Sequence, residues 1–326
     1  MCFCVVARQF EKISRKQETS QHAGCGGSYY FSMNSTVLVG GHVSVAGGVM
    51  SAFENAKAIG ANFFQIFTGS PRIWRGSETT DAIAEKFRAE LFTGQSGVKG
   101  FVTHASYLIN LATSDSELLE KSVSLLSDNV KSASKLGAAG IVLHVGSHKG
   151  VGLDATLGTI GESLAKVMSV CDGPIRILLE NTAGAGGSVG KSFEELARVI
   201  EVIKGDARVG VCIDTQHLFA SGMTYATMAD ADAVVDRFMK VLGLERLGCV
   251  HLNDSKAGPG SLRDRHENLG EGLIGSEALG NIISHPKLTG VPLVLETPGA
   301  GAGPRAHDVE TAKAILRDGI QRRQAI

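Results

Sequence analysis

The chain of 326 residues lacks several features that would place it at a glance. It has no excess of either charge: 32 Lys and Arg stand against 33 Asp and Glu, a formal charge of −1 with histidine neutral. A protein that grips nucleic acid through side chains alone usually carries a basic excess. Charge balance therefore gives no nucleic-acid signature, although bound cations would add positive charge that a residue count does not register. No stretch supplies the roughly 18 consecutive apolar residues of a membrane-spanning helix, so a soluble, non-membrane protein is expected. The six cysteines, at 2, 4, 25, 171, 212 and 249, form no pair of CxxC motifs. That argues against a zinc ribbon and for reduced, mostly buried thiols in a cytoplasmic setting. GGHVSVAGG (40–48) has glycines after an apolar run, but not at G-x-G-x-x-G spacing, so the dinucleotide fingerprint is missing.

What is present is an alternation. Residues 1–33 show none; they mix basic, polar and Gly/Ser residues and are expected to form a disordered N-terminal extension, with organellar targeting left open by Arg8, Lys12, Arg15 and Lys16. From 34 to 326, short β-rich runs recur: TVLVGGH (36–42), NFFQIF (62–67), VKGFVTH (98–104), GIVLH (140–144), PIRILLE (174–180), VGVCID (209–214), LGCVHL (247–252) and VPLVLE (291–296). Between them lie stretches with helical spacing. The clearest is 116–137, with Leu118, Val123, Leu126 and Val130 on one face and a glycine at the end. Near-continuous apolar strands alternating with helices read as a parallel sheet covered by helices. Eight such units predict a single (β/α)8 TIM barrel, with its site at the carboxyl ends of the strands.

Those ends are the informative part. Strand one ends in His42, three in His104, four in His144, five in Glu180 and six in Asp214; strand seven carries His251 and strand eight ends in Glu296. Singly, a strand-end histidine is more often a hydrogen-bonded structural group, and a strand-end carboxylate more often caps the next helix. Together they would crowd imidazoles and carboxylates into one mouth, where buried like charges need compensation by metal ions. Two turns add donors: His217 follows Asp214 by three residues, and Asp264 and His266 stand at i, i+2. Imidazole and carboxylate without thiolate suit Zn²⁺ or Mn²⁺. Nine candidates exceed the needs of one ion.

These segments resemble the endonuclease IV family of metal-dependent apurinic/apyrimidinic DNA-repair enzymes. The motifs are HVSVAGG (42–48), HASYLINLA (104–112), LHVGSH (143–148), ENTAGAG (180–186), VCIDTQH (211–217), HLNDSK (251–256), DRHENLGEG (264–272) and LETP (295–298). The resemblance implies three zinc ions, with Mn²⁺ able to replace one: the first on His104, His144 and Glu180; the second on Glu180, Asp214, His251 and Glu296; the third on His217, Asp264 and His266. It implies hydrolysis of the phosphodiester 5′ to an abasic site in double-stranded DNA, leaving a 3′-hydroxyl and a 5′-deoxyribose phosphate; a monomer is expected by default, since the sequence offers no obvious partner helix. Glu180 would orient or deprotonate the attacking water, Arg72, Tyr107 and Leu108 would fill the gap at the lesion, and His42 would stand behind the ligands. Val145 and Gln216 depart from residues common in the family, proline and cysteine respectively. Three rivals remain: a metal-dependent sugar isomerase or epimerase on the same barrel, a non-catalytic binding barrel, and a nucleotide-binding loop at AGGSVGKS (185–192), one residue short of a Walker A motif.

Overall fold

A computed structural model of the chain describes residues 37–76, 79–170 and 173–325. The expected 1–33 extension lies outside them, as do Cys2, Cys4, Cys25 and Cys171. Among the described residues, eight parallel strands close into a barrel. They are β1 (Val39–His42), β2 (Phe63–Phe67), β3 (Gly100–His104), β4 (Gly140–Leu143), β5 (Arg176–Glu180), β6 (Val209–Asp214), β7 (Leu247–His251) and β10 (Leu293–Leu295). Closure runs β1 to β10 to β7 and then down in sequence order to β2. Each of the eight expected runs contains one strand. Three end a residue early, so His144, Leu252 and Glu296 sit just past β4, β7 and β10, at the start of the following loops.

The pattern of burial explains the closure. Both faces of each strand are covered, one by the ring of helices and the other by the barrel's own interior. Phe63, Val102, Val142, Leu178, Cys212, Cys249 and Val294 fill that interior as one apolar cluster. Along β6 and β7, Cys212 and Cys249 belong to this layer while Asp214 and His251, two residues on, pair in register above it. The period of two in a strand thus separates an apolar floor from a polar mouth. Cys212 and Cys249 are free thiols whose sulfurs lie 3.5 Å apart.

The helices follow from local chemistry. The longest spans Ser116–Leu136. Asp115 caps it by accepting from the amides of Glu117 and Leu118, both at 3.0 Å. Gly137 ends it at φ +84, a conformation that costs glycine little. Leu126 and Val130 of its stripe are buried, joined by Leu125, Ala133 and Leu136. A feature outside the expected set is a two-stranded antiparallel sheet, β8 (Asp254–Ser255) with β9 (His266–Glu267), built over the mouth. Its strands are two residues long, too short to leave a periodicity in the sequence.

Candidate metal centre

The structure brings all nine candidate ligands to one end of the barrel. Ligand atoms of His104, His144 and Glu180 lie within 4.8 Å of one another, as do those of Asp214, His217 and His266, and those of Glu180, Asp214, His251 and Glu296. Asp264 joins the second group, with one oxygen 3.4 Å from His217 Nε2 and the other 3.4 Å from His266 Nε2.

Glu180 is the hub. It is fully buried at the end of β5, and its two oxygens face different partners. Oε2 is 3.3 Å from Nε2 of both His104 and His144, while Oε1 is 3.1 Å from His251 Nδ1 and 3.3 Å from His217 Nδ1. Glu296 Oε2 approaches His251 Nδ1 at 3.2 Å. Asp214 plays two parts. Its Oδ1 accepts from the His217 amide at 2.8 Å, capping the helix Thr215–Ser221 and so fixing the turn that returns His217 to the site.

Most of the histidines pass one ring nitrogen to the protein, which frees the other to face inward. His104 Nδ1 donates to the Ala105 carbonyl at 2.7 Å, His217 Nδ1 to the Asn181 carbonyl at 2.9 Å, and His251 Nε2 to Gln65 Oε1 at 2.9 Å. Metal-binding imidazoles are held in this way, because the outer bond fixes tautomer and ring orientation. His266 Nε2 is buried without a hydrogen-bond partner. A buried polar nitrogen left unpaired is costly, and a cation between Asp214, His217, Asp264 and His266 would satisfy it. The donor set, imidazole nitrogen and carboxylate oxygen, fits zinc.

The electrostatics point the same way. Burial alone would raise the pKa of Glu180, yet His144 and His251, with bonds from His104 and His217, hold it well below the usual range. Burial likewise acts against His217 and His251, but Asp214, Asp264 and Glu180 raise His217, and Glu296 and Glu180 raise His251, well above the ordinary imidazole value. Glu296 is pulled down to about 2 against its burial, chiefly by His251. The carboxylates therefore create a field that demands positive charge.

Residues that sequence reasoning missed hold this frame. Gln65, in the strand that had no candidate, donates from Nε2 to Glu296 Oε1 at 2.6 Å, with His42 Nδ1 3.0 Å from the same nitrogen. Burial lowers His42 to about 4, and because Gln65 Nε2 is a donor, His42 Nδ1 accepts from it. That places His42 beside Gln65 and 3.9 Å from Glu296, behind the ligands. Asn253 donates to Asp214 Oδ2 at 2.7 Å and accepts from the Glu296 amide at 2.9 Å. Asn181 Oδ1 accepts from the Asp214 amide at 2.7 Å. The signal was there in part: Gln65 is the one polar residue of FFQIF.

At the rim, Tyr107 is 56% exposed, with its ring 5.3 Å from that of His104 and 5.4 Å from that of Phe67. Burial of its inner part, with Glu296 and Glu180 nearby, pushes its hydroxyl well above the usual pKa, so it stays neutral. Leu108 is half-buried against the core, and Arg72 is exposed. The two departures are accommodated. Val145 is buried and its carbonyl accepts from Leu111, and Gln216 Nε2 donates to Ser255 Oγ at 3.0 Å and the Arg263 carbonyl at 2.9 Å. The Walker-like loop is occupied by the protein itself: the amides of Gly190 and Lys191 both donate to Glu195 Oε2.

Comparison with known proteins supports the same reading. A family model described as xylose isomerase-like TIM barrel matches residues 53–321. "Probable endonuclease 4" of Halothermothrix orenii is 41% identical over 281 residues, which cover 86% of this chain and 99% of that protein. The crystal structure of endonuclease IV from Thermus thermophilus superposes with a TM-score of 0.74 at 38% identity, covering 86% of this chain and 99% of that one. A D-tagatose 3-epimerase-like protein superposes with a TM-score of 0.65 at 18% identity, covering 87% of this chain and 97% of that one, and shares the fold alone. Among the described residues, no helix is long and apolar enough to cross a membrane.

Proposed function

Because the chain belongs to the endonuclease 4 family and is a metal-binding apurinic/apyrimidinic endonuclease of DNA repair, we propose that it carries three zinc ions and cuts double-stranded DNA on the 5′ side of an abasic site. The first ion would be held by His104, His144 and Glu180, the second by Glu180, Asp214, His251 and Glu296, and the third by His217, Asp264 and His266. Bound zinc supplies Lewis acidity and lowers the pKa of a coordinated water to about 7.

The rest falls to the chain. The observation that carries the reading is the divided carboxylate of Glu180, with one oxygen toward His104 and His144 and the other toward His251. A carboxylate placed so can bridge two cations and still orient the attacking water or take its proton. Ionised Glu180 and Glu296 leave the centre short of positive charge until cations enter, so a phosphodiester would bind only to the loaded site. The products would be a 3′-hydroxyl and a 5′-deoxyribose phosphate. Selectivity would rest on deformability, since a nucleotide without a base is extruded at less cost than a paired one. Arg72, Tyr107 and Leu108 would fill the space it leaves. A two-ion sugar isomerase would leave the His217, Asp264 and His266 group without work. The buried thiols Cys212 and Cys249 suit a cytoplasmic enzyme, and a monomer suffices for the site.

The deciding experiment is metal analysis of purified protein together with incubation on an abasic duplex, with and without a strong chelator. The expected result is three zinc ions per chain and a chelator-sensitive nick with a 3′-hydroxyl end. One ion per chain, or cleavage unaffected by chelation, would defeat the proposal.

A further inference from the structure

Asp254 is a fully buried carboxylate with no Lys or Arg pairing among the described residues. Backbone amides satisfy it instead. Oδ2 accepts from Gly270 at 2.9 Å and Gly272 at 3.2 Å, Oδ1 from Ile274 at 2.9 Å and Ser255 at 2.8 Å, and Gly275 reaches both oxygens at 3.2–3.3 Å. Segment 268–275, NLGEGLIG, thus wraps one negative charge. The wrapping explains its glycines: a Cβ on Gly272 would lie 2.3 Å from Asp254 Oδ1, and Gly270 and Gly275 have φ near +80.

The wrapped segment continues from the limb that bears Asp264 and His266. That limb is stitched to Asp254 and its neighbour by β8–β9 pairing, Asp254 opposite Glu267 and Ser255 opposite His266. The Lys256 amide donates to the Arg265 carbonyl at 2.9 Å, and the Leu273 amide to the Ser255 carbonyl at 2.8 Å. Gln216 adds a clasp at the Arg263 carbonyl, one residue before Asp264. The Asp264 side chain itself is 58% exposed and, among the described residues, makes ion pairs with His217 and His266 alone. Its placement therefore comes from the backbone, which pairs with β8 at His266 and Glu267 and runs on into the segment that wraps the Asp254 carboxylate.

We propose that Asp254 is a positioning residue for the third metal: its charge folds segment 264–275 into place before any ion arrives and sets Asp264 and His266 opposite His217. The inference rests on the three-zinc reading above. Hydrogen bonds to an ionised carboxylate are about twice as strong as neutral ones, and Asn at 254 would turn an NH₂ group toward amide donors.

The test uses zinc alone. Native protein and Asp254→Asn are dialysed against the same low free zinc and assayed for bound metal. Native protein should hold three ions and the variant two, with affinity at the lost site weakened about 10- to 100-fold, as when other outer partners of metal ligands are removed. Excess zinc should restore the third ion, which a merely misfolded variant would not allow. Three ions in both would overturn the role of Asp254 and leave the three-zinc reading standing; fewer than three in native protein would overturn that reading. Hydrogen exchange on native protein decides the point if the variant fails to fold. The amides of Gly270, Gly272 and Ile274 should remain protected after chelation; unprotected exchange there would show that the metal, and not Asp254, orders the limb.

Discussion

The hydroxyl of Ser106 donates to the carbonyl of Pro71 at 2.8 Å. This bond joins the loop after β2, which carries Arg72, to the loop after β3, which carries Tyr107 and Leu108. Ser106 is nearly buried, its amide donates to Asn129 Oδ1 at 3.1 Å, and its hydroxyl also accepts from the Leu108 amide at 3.3 Å. The proposed lesion-filling residues thus stand on two loops fastened to each other at the rim.

Arg72→Ala and Tyr107→Ala should each weaken abasic-duplex binding by on the order of 1–3 kcal/mol, the range for stacking and wedge side chains. Bound zinc should stay unchanged. Titration of a labelled duplex and metal analysis of the same samples provide the check, and loss of metal in Arg72→Ala would mark a structural role. Ser106→Ala, which unfastens the loops without removing either contact, should weaken binding less than Arg72→Ala.

Glu180→Gln should lower cleavage at least about 10²-fold, the lower range for losing a group that handles a proton in the reaction, and should reduce metal content because a neutral amide bridges cations poorly. Far-ultraviolet circular dichroism should match the native protein. Near-normal turnover would remove Glu180 from the centre.

Gln65 was absent from the candidate ligands, yet it holds His251 and Glu296 together. Gln65→Met keeps the volume and removes the bonds. Metal affinity should fall about 10- to 100-fold, read by competition with a chromophoric chelator, with duplex binding by zinc-saturated protein little changed. Unaltered affinity would show that His251 is held by packing alone.

Stability should respond to pH through Asp308, which is outside the nine candidate ligands. Asp308 is buried at the start of helix Ala306–Gln324 and accepts from the Arg305 amide at 2.7 Å, Nε at 3.0 Å and Nη2 at 2.9 Å. Burial would raise its pKa, but Arg305 holds it below the usual value. A depressed carboxyl contributes stability that is complete above its unfolded-state pKa, about 3.9, and is lost as pH falls through the lower folded value. Asp308→Asn should therefore cost about 1.5–3 kcal/mol near neutrality, the range for hydrogen bonds to a charged group, and the gap to native protein should narrow below about pH 4. Denaturant melts of the two proteins at pH 7 and pH 3.5 would show it; a constant gap would contradict the assignment.

The sequence alone determined the barrel and which side chains stand at the ends of its strands. Short apolar runs alternating with helical stretches leave few topologies, and the residue at each strand's end is read directly once the run is found: His104, Glu180 and Asp214 are the last residues of their strands. What the tertiary structure decided is how those groups are held. Gln65, Asn181, and the adjacent Asn253 and Asp254 come from three segments, and each acts across a distance of many residues, as when Asp254 binds amides of Gly270 through Gly275. Such bonds leave no period in the chain, because a period records which face an element buries and says nothing of what lies opposite it. Closure of the barrel supplies the opposite side, setting Glu180 between His104 and His251 and giving one carboxylate two histidine-lined faces.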